Sequence, residues 1–217
     1  MIGGHALRSA VIATAVAMNA ANINRGKSGN VSARVKDGGF EGFLVTPTGL
    51  AYADTTPDDI VAMGLDGVAH GLRAPSSEWR FHRDIYVART EANAIVHTHA
   101  PYATTLACLH REIPAFHYMV AVAGGNDIRC APYATFGTQA LSDLALAALD
   151  GRRACLLANH GMIALESSLP RALALAVEVE TLAQMYWQAL LIGEPATLPD
   201  DEMATVLRKF ATYGQPD

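Results

Sequence analysis

Ala94-Ile95-Val96-His97-Thr98-His99, followed by Pro101, is an apolar run that ends in two histidines one residue apart. A run of this kind, closed by a proline, reads as a buried β-strand. Side chains alternate faces along a strand, so His97 and His99 share one face while Thr98 takes the other. Two imidazoles at one strand end can share a metal ion, and a third ligand would make a catalytic zinc-type site. A pair of hydrogen-bonded structural histidines fits the same six residues, and both readings stand at this point.

Two further stretches bear on the choice. Ala154-Cys155-Leu156-Leu157-Ala158 is a second short buried strand that runs straight into Asn159-His160-Gly161. His160 therefore sits at a strand end, placed to face a cleft. Pro75-Ser76-Ser77-Glu78-Trp79-Arg80-Phe81-His82 opens a helix to about Arg89, with Ser76 or Ser77 as its cap. A helix start flanked by two hydroxyls is a natural anion site. Glu78 in that first turn is accounted for by the helix dipole alone. Together with His97, His99 and His160 it also completes the donor set of a zinc-type centre.

Two loops add phosphate-binding character. Arg25-Gly26-Lys27-Ser28-Gly29-Asn30 can expose backbone N–H groups as a nest, or can be an ordinary glycine turn. It matches neither a Walker loop nor a dinucleotide fingerprint. Thr46-Pro47-Thr48-Gly49 ends a strand with hydroxyls and a glycine, and by itself reads as a turn. A metal beside such a cradle suggests a phosphorylated substrate whose carbonyl the metal polarises.

The remaining chain supplies the scaffold. A helix is expected over about Leu7 to Ile23, then a hairpin of Val31–Val35 and Gly42–Val45 turning at Asp37-Gly38-Gly39. Thr56-Pro57-Asp58-Asp59-Ile60 reads as a helix start. Further helices are expected from Tyr102 to Leu109, Gln139 to Leu149, Leu169 to about Leu191 and Asp201 to Phe210. Ile113 to Val120 is an irregular apolar segment in which His117 reads as a satisfied core or interface histidine.

The chain has 217 residues, 51% hydrophobic and 17% charged, enough for one α/β domain over residues 1–217. A net charge of -5 argues against an electrostatic nucleic-acid binder. No run approaches membrane-spanning length. The alanine-rich stretch Val11–Met18 is followed by polar Asn19, Asn22 and Asn24, so an amphipathic helix fits it better than a signal peptide. Cys108, Cys130 and Cys155 are odd in number, widely spaced and set among apolar residues. Reduced, buried thiols in a cytoplasmic protein are expected.

Five motifs in order, Gly29-Asn30-Val31-Ser32, Thr46-Pro47-Thr48-Gly49, Ser76-Ser77-Glu78, His97-Thr98-His99 and Asn159-His160-Gly161, resemble the class II aldolase/adducin family. Pro75–His82, His117-Tyr118-Met119, Ala123–Asn126 and Tyr133–Gly137 resemble its L-fuculose-1-phosphate aldolase branch, over about residues 5 to 214. The resemblance implies an α/β sandwich with a mainly antiparallel central sheet flanked by helices, assembled as a homotetramer with active sites at subunit interfaces. It implies Zn²⁺, or another divalent ion such as Mn²⁺ or Co²⁺, on His97, His99, His160 and, at rest, Glu78. Gly29, Asn30, Thr48, Gly49, Ser76 and Ser77 would hold the phosphate of dihydroxyacetone phosphate. Glu78 would act as acid/base, Tyr118 would come from a neighbouring subunit, and Phe136 and Tyr213 would surround the aldehyde end.

The activity implied is cleavage and condensation of an L-fuculose-1-phosphate-like ketose 1-phosphate, with L-lactaldehyde as an example of the aldehyde. The same scaffold carries 5-methylthioribulose-1-phosphate aldolases, a 4-epimerase, sugar-acid phosphate decarboxylases, a dehydratase and the metal-free adducin head. The full set of metal ligands in this chain weighs against the adducin-like reading.

Overall fold

The structure is a computed structural model and describes residues 1–212. Its strands are β1 (Asn30–Asp37), β2 (Phe40–Val45), β3 (Val61–Gly64), β4 (Ala69–His70), β5 (Ala94–Thr98), β6 (Cys130–Ala131), β7 (Ala154–Leu157) and β8 (Gly161–Glu166). They form one sheet in the order β4-β3-β2-β1-β5-β8-β7-β6. Every neighbouring pair is antiparallel except β6 with β7. The histidine-bearing strand β5 is thus interior, between β1 and β8.

Helices cover both faces: α1 (Gly4–Ala20), α2 (Trp79–Ala88), α3 (Pro101–Cys108), α4 (Gln139–Ala148), α5 (Leu169–Ile192) and α6 (Asp200–Thr212). Strand alternation divides the core in two. Val31, Ala33 and Val35 of β1 and Ala94 and Val96 of β5 pack with Val11, Leu106, Val179 and Met203 from α1, α3, α5 and α6. Ile95 of β5 packs on the opposite face with Phe81 and Ile85 of α2 and Leu141 of α4. Ile95 and Val96 are both fully buried, one in each core. Each contributes roughly 1.5–3 kcal/mol, and a one-residue slip of β5 would exchange their faces. That burial fixes which way His97 points.

The hairpin, the α3 and α5 helices and the strand at Ala154 form as the sequence predicts, within a few residues at their ends. Three places differ. The start signal at Thr56 yields only a 3₁₀ turn, Pro57–Asp59, with Thr56 and Asp59 in a reciprocal capping box. The chain then turns extended at Ile60, because Val61–Gly64 is fully buried as a sheet strand. Neither serine caps α2: the cap position is Glu78 itself, whose side chain makes no capping bond. Ser76 Oγ accepts instead from the Glu78 N–H at 3.3 Å. Last, all three cysteines are free, but only Cys155 is buried; Cys108 is exposed. Cys108 ends α3 one residue before its C-cap, where the chain turns to the surface.

No helix among the described residues is long and apolar enough to cross a membrane.

Candidate active site

The sheet register assembles the site. Asn30 at the start of β1 pairs with His97 of β5, and His97 pairs on its other side with Ile163 of β8. β8 begins at Gly161, so His160 arrives beside His99 at the same sheet end. Asn159, which precedes it, adopts the left-handed conformation (φ 55°), one that asparagine tolerates better than most residues. Gly161 allows the close approach: a Cβ there would lie 2.6 Å from the Thr98 carbonyl oxygen and 3.0 Å from His99 Cδ2.

Glu78, His97, His99 and His160 converge, each offering one ligand atom, all within 4.8 Å of one another. Glu78 Oε2 is 3.1 Å from His97 Nε2, and Oε1 is 3.1 Å from His160 Nε2. Glu78 Oε1, His97 Nε2 and His99 Nε2 are buried and have no hydrogen-bond partner. Buried polar atoms without partners are costly. Three of them aimed at one point, from two residue types that zinc favours, fit a metal ion. The His97 ring is oriented for this: Nδ1 lies 2.9 Å from the Met162 carbonyl oxygen, so Nδ1–H donates and the Nε2 lone pair faces the cluster.

Burial, reinforced by the neighbouring imidazoles of His97 and His160, pulls the pKa of His99 down to about 4. That keeps His99 neutral and able to ligate near pH 7. Burial opposes ionisation of Glu78, but His97 and His160 outweigh it and hold the carboxyl well below the usual carboxylate range. A purely structural role for His97 and His99 leaves the buried His99 Nε2 without a partner.

The segments that carry the predicted phosphate donors are joined by hydrogen bonds, and Asn30 ties them to Glu78. Ser76 Oγ accepts from Asn30 Nδ2 at 3.0 Å. The 46–49 loop runs beside 74–77 through a Pro47–Pro75 bridge and the backbone bonds Ser76 N–H to Thr46 O and Thr48 N–H to Ala74 O. Gly29 is held by the Tyr52 hydroxyl, which donates to its carbonyl. A Cβ at Gly29 would lie 2.5 Å from the His97 carbonyl oxygen, so glycine is needed for this loop to touch β5. Lys27, which the sequence reading did not single out, donates from Nζ to the Gly49 carbonyl at 2.8 Å. It brings a cation to an otherwise neutral set of donors.

Ser28, Ser77, Glu78, His99, Tyr133, Phe136 and His160 line a cleft of 240 Å³ over the cluster. Phe136 thus lines the same cleft as Glu78, His99 and His160. Tyr118 does not. It lies on the 3₁₀ segment Tyr118–Ala123, stacked near Phe210, and borders a separate cavity with His117 and Leu198. Within one copy of the chain, Tyr118 is not brought to the cleft. His117 caps its own segment, with Nδ1 accepting from Met119 N–H at 3.2 Å. Tyr213 falls outside the described residues.

The second residue the sequence reading passed over is His82. Fully buried, it bonds Asn30 through Nε2 and Ser32 through Nδ1. A detectable signal was the row Glu78, His82, Tyr86 at four-residue spacing, facing Asn30, Ser32 and Arg34 at two-residue spacing. One helical turn and two strand residues advance by similar lengths, about 6 Å.

Comparison with known proteins agrees with this geometry. The family model "Class II Aldolase and Adducin N-terminal domain" matches residues 9–187. The 5-methylthioribulose-1-phosphate/5-deoxyribulose-1-phosphate aldolase of Rhodospirillum rubrum is 57% identical over 209 residues, 96% of this chain and 93% of that one. The L-fuculose phosphate aldolase of Escherichia coli K12 is 50% identical over 205 residues, 94% of each chain. A solved structure titled L-fuculose 1-phosphate aldolase superposes with a TM-score of 0.92 at 39% identity, over 97% of this chain and 98% of that one. A half-buried three-histidine, one-carboxylate cluster at one sheet end, on a chain matched over most of its length, makes this protein a member of the class II aldolase/adducin family, on its enzymatic aldolase side.

Proposed function

We propose that this enzyme cleaves the C3–C4 bond of a ketose 1-phosphate with a short apolar far end, releasing dihydroxyacetone phosphate and an aldehyde. 5-Methylthioribulose 1-phosphate and 5-deoxyribulose 1-phosphate are the first candidates. L-Fuculose 1-phosphate, giving L-lactaldehyde, is the second. The 57% and 50% identities to enzymes named for those sugars support both, in that order. The observation that carries the reading is the joining of the Glu78–histidine cluster to the Ser76 cradle through one residue, Asn30.

His97, His99 and His160, with Glu78 at rest, would hold a divalent ion, Zn²⁺ in the first place. When bound, that ion supplies a positive charge for the electrons that cleavage leaves on C3 and the C2 carbonyl oxygen. Gly29, Asn30, Thr48, Gly49, Ser76, Ser77 and Lys27 would bind the phosphate and orient C3 toward Glu78. The Glu78 carboxylate would remove the C3 proton in condensation, and the carboxylic acid so formed would return it to C3 in cleavage. Tyr118 of a second copy, in a fourfold homotetramer, would donate its phenolic proton to the aldehyde oxygen in condensation and, as the phenolate, take the C4 hydroxyl proton in cleavage. Tyr133 and Phe136 would shield the aldehyde end from water. Tyr213 would add to that end, and loss of the chain after Phe210 would then harm aldehyde selectivity more than phosphate binding.

The test is condensation of dihydroxyacetone phosphate with acetaldehyde, methylthioacetaldehyde or L-lactaldehyde by zinc-loaded protein, with and without chelator. Chelator-sensitive product, faster with the first two aldehydes, is expected. No condensation by folded, metal-loaded protein would move the function to the epimerase, decarboxylase or dehydratase branches of the family.

A further inference from the structure

Beneath the cradle lies a buried chain of hydrogen-bonded polar side chains. Asn30 Nδ2 is 3.0 Å from both Glu78 Oε2 and Ser76 Oγ. His82 Nε2 is 2.5 Å from Asn30 Oδ1 and His82 Nδ1 is 2.7 Å from Ser32 Oγ, which is 2.8 Å from the Tyr86 hydroxyl. Asn30, Ser32, His82 and Tyr86 are each at most 2% exposed, so water does not complete these bonds.

The directions follow from donor inventory alone. The Asn30 amide turns its N–H groups toward Glu78 Oε2 and Ser76 Oγ and its oxygen toward His82. That oxygen only accepts, so His82 carries its proton on Nε2. A neutral His82 then accepts at Nδ1 from the Ser32 hydroxyl, and Ser32 in turn accepts from Tyr86. At the other end Ser76 Oγ accepts from both Asn30 and the Glu78 backbone N–H. Its own O–H is used in neither bond.

We propose that His82 is a positioning residue for the cradle: by holding the Asn30 amide in one orientation, it presents an Asn30 N–H to Glu78 and leaves the Ser76 O–H for the ligand's phosphate. Burial pushes the His82 pKa down to about 3, which agrees with a neutral ring. If the amide turned over, Asn30 Oδ1 would face the Glu78 carboxylate and Ser76 would have to donate back to it. One ring thereby governs both the anion site and the carboxylate beside it. The inference rests on the reading of Asn30 and Ser76 as phosphate donors.

The experiment combines a spectrum and a binding measurement. In ¹⁵N-histidine-labelled protein, long-range ¹H–¹⁵N correlation should show His82 as the neutral Nε2–H form from pH 5 to 9. An Nδ1–H form would overturn the proposal, and this measurement needs no variant. Inorganic phosphate binding is then compared in wild type, His82→Gln and His82→Phe. Gln places an N–H donor near the Nε2 position, whereas Phe keeps the ring and removes both polar atoms. Phe should weaken phosphate binding by about tenfold, the effect expected of one misdirected buried hydrogen bond, and Gln should restore it to within about threefold. Co²⁺ binding to the three histidines, followed by its visible spectrum, should change much less than phosphate binding in either variant. Equal phosphate affinity in folded His82→Phe, or equal losses in Gln and Phe, would overturn the positioning role. Binding that depends on His82 without any condensation activity would instead count against the proposed reaction alone.

Discussion

The side-chain amide of Asn30 donates to Glu78 Oε2 at 3.0 Å across the gap between β1 and the start of α2. Forty-eight positions separate the two in sequence, and the contact joins the candidate phosphate cradle to the candidate metal centre. It also explains why Glu78 does not cap its helix. The carboxylate is already committed to Asn30 and to the histidines, so the helix dipole is not what placed it there.

Glu78→Gln should keep a divalent ion, because His97, His99 and His160 remain, while losing proton transfer at C3. A general acid/base contributes about 10²–10⁴-fold, so turnover should fall by at least about a hundredfold. Metal content by atomic emission and steady-state cleavage rates check this. A Gln variant with near-normal turnover removes Glu78 from the chemistry.

Gly161→Ala should disturb the metal centre without touching any ligand. Its new Cβ would collide with the Thr98 carbonyl and crowd His99, so β5 and β8 must separate at the site. Overpacking of this kind costs roughly 1–3 kcal/mol. A lower denaturation midpoint and weaker Co²⁺ binding are expected together; unchanged metal affinity would show that the strands yield elsewhere.

Glu180, on α5, accepts from the Tyr102 and Ala103 N–H groups at 2.8 Å each, at the start of α3. It thereby ties down the helix that follows His99. Glu180→Ala would leave two helix N–H groups without their partner, at roughly 1–3 kcal/mol, read in urea denaturation. Full stability in that variant would mean that water replaces the carboxylate.

His82 should make the apo protein acid-sensitive. Its folded pKa of about 3 lies below the ordinary 6.5, so the unfolded chain binds the proton first. The contribution of neutral His82 is intact above about pH 6.5 and declines as pH falls from there toward 3. The limiting slope is about 1.4 kcal/mol per pH unit for one proton. Urea titrations from pH 7 to 4 should show a shallower decline in His82→Gln than in wild type; parallel curves would assign the acid sensitivity to other groups.

Much of the site was legible in short stretches of sequence. The two-residue spacing of His97 and His99 placed both on one strand face, and the buried strand before Asn159 placed His160 at a strand end. Those arguments use only local periodicity. They stopped short at β8, because the apolar run Met162–Leu165 carries no alternation that separates a strand from other buried segments. They missed His82 because its partners Asn30 and Ser32 stand on β1, far away in sequence, and they assigned the cap of α2 to a serine because local chemistry favours hydroxyls there.

The chain by itself therefore determined which ligand types exist, their spacing, and the strand faces on which they stand. Only the tertiary structure decided that β1 packs against α2 with Asn30 opposite Glu78 and His82. It also decided that Lys27 reaches Gly49 and that, within one copy, Tyr118 lies away from the cleft. The physical reason is that periodicity acts over a few residues, whereas these pairings depend on how two elements settle against each other once both cores are filled.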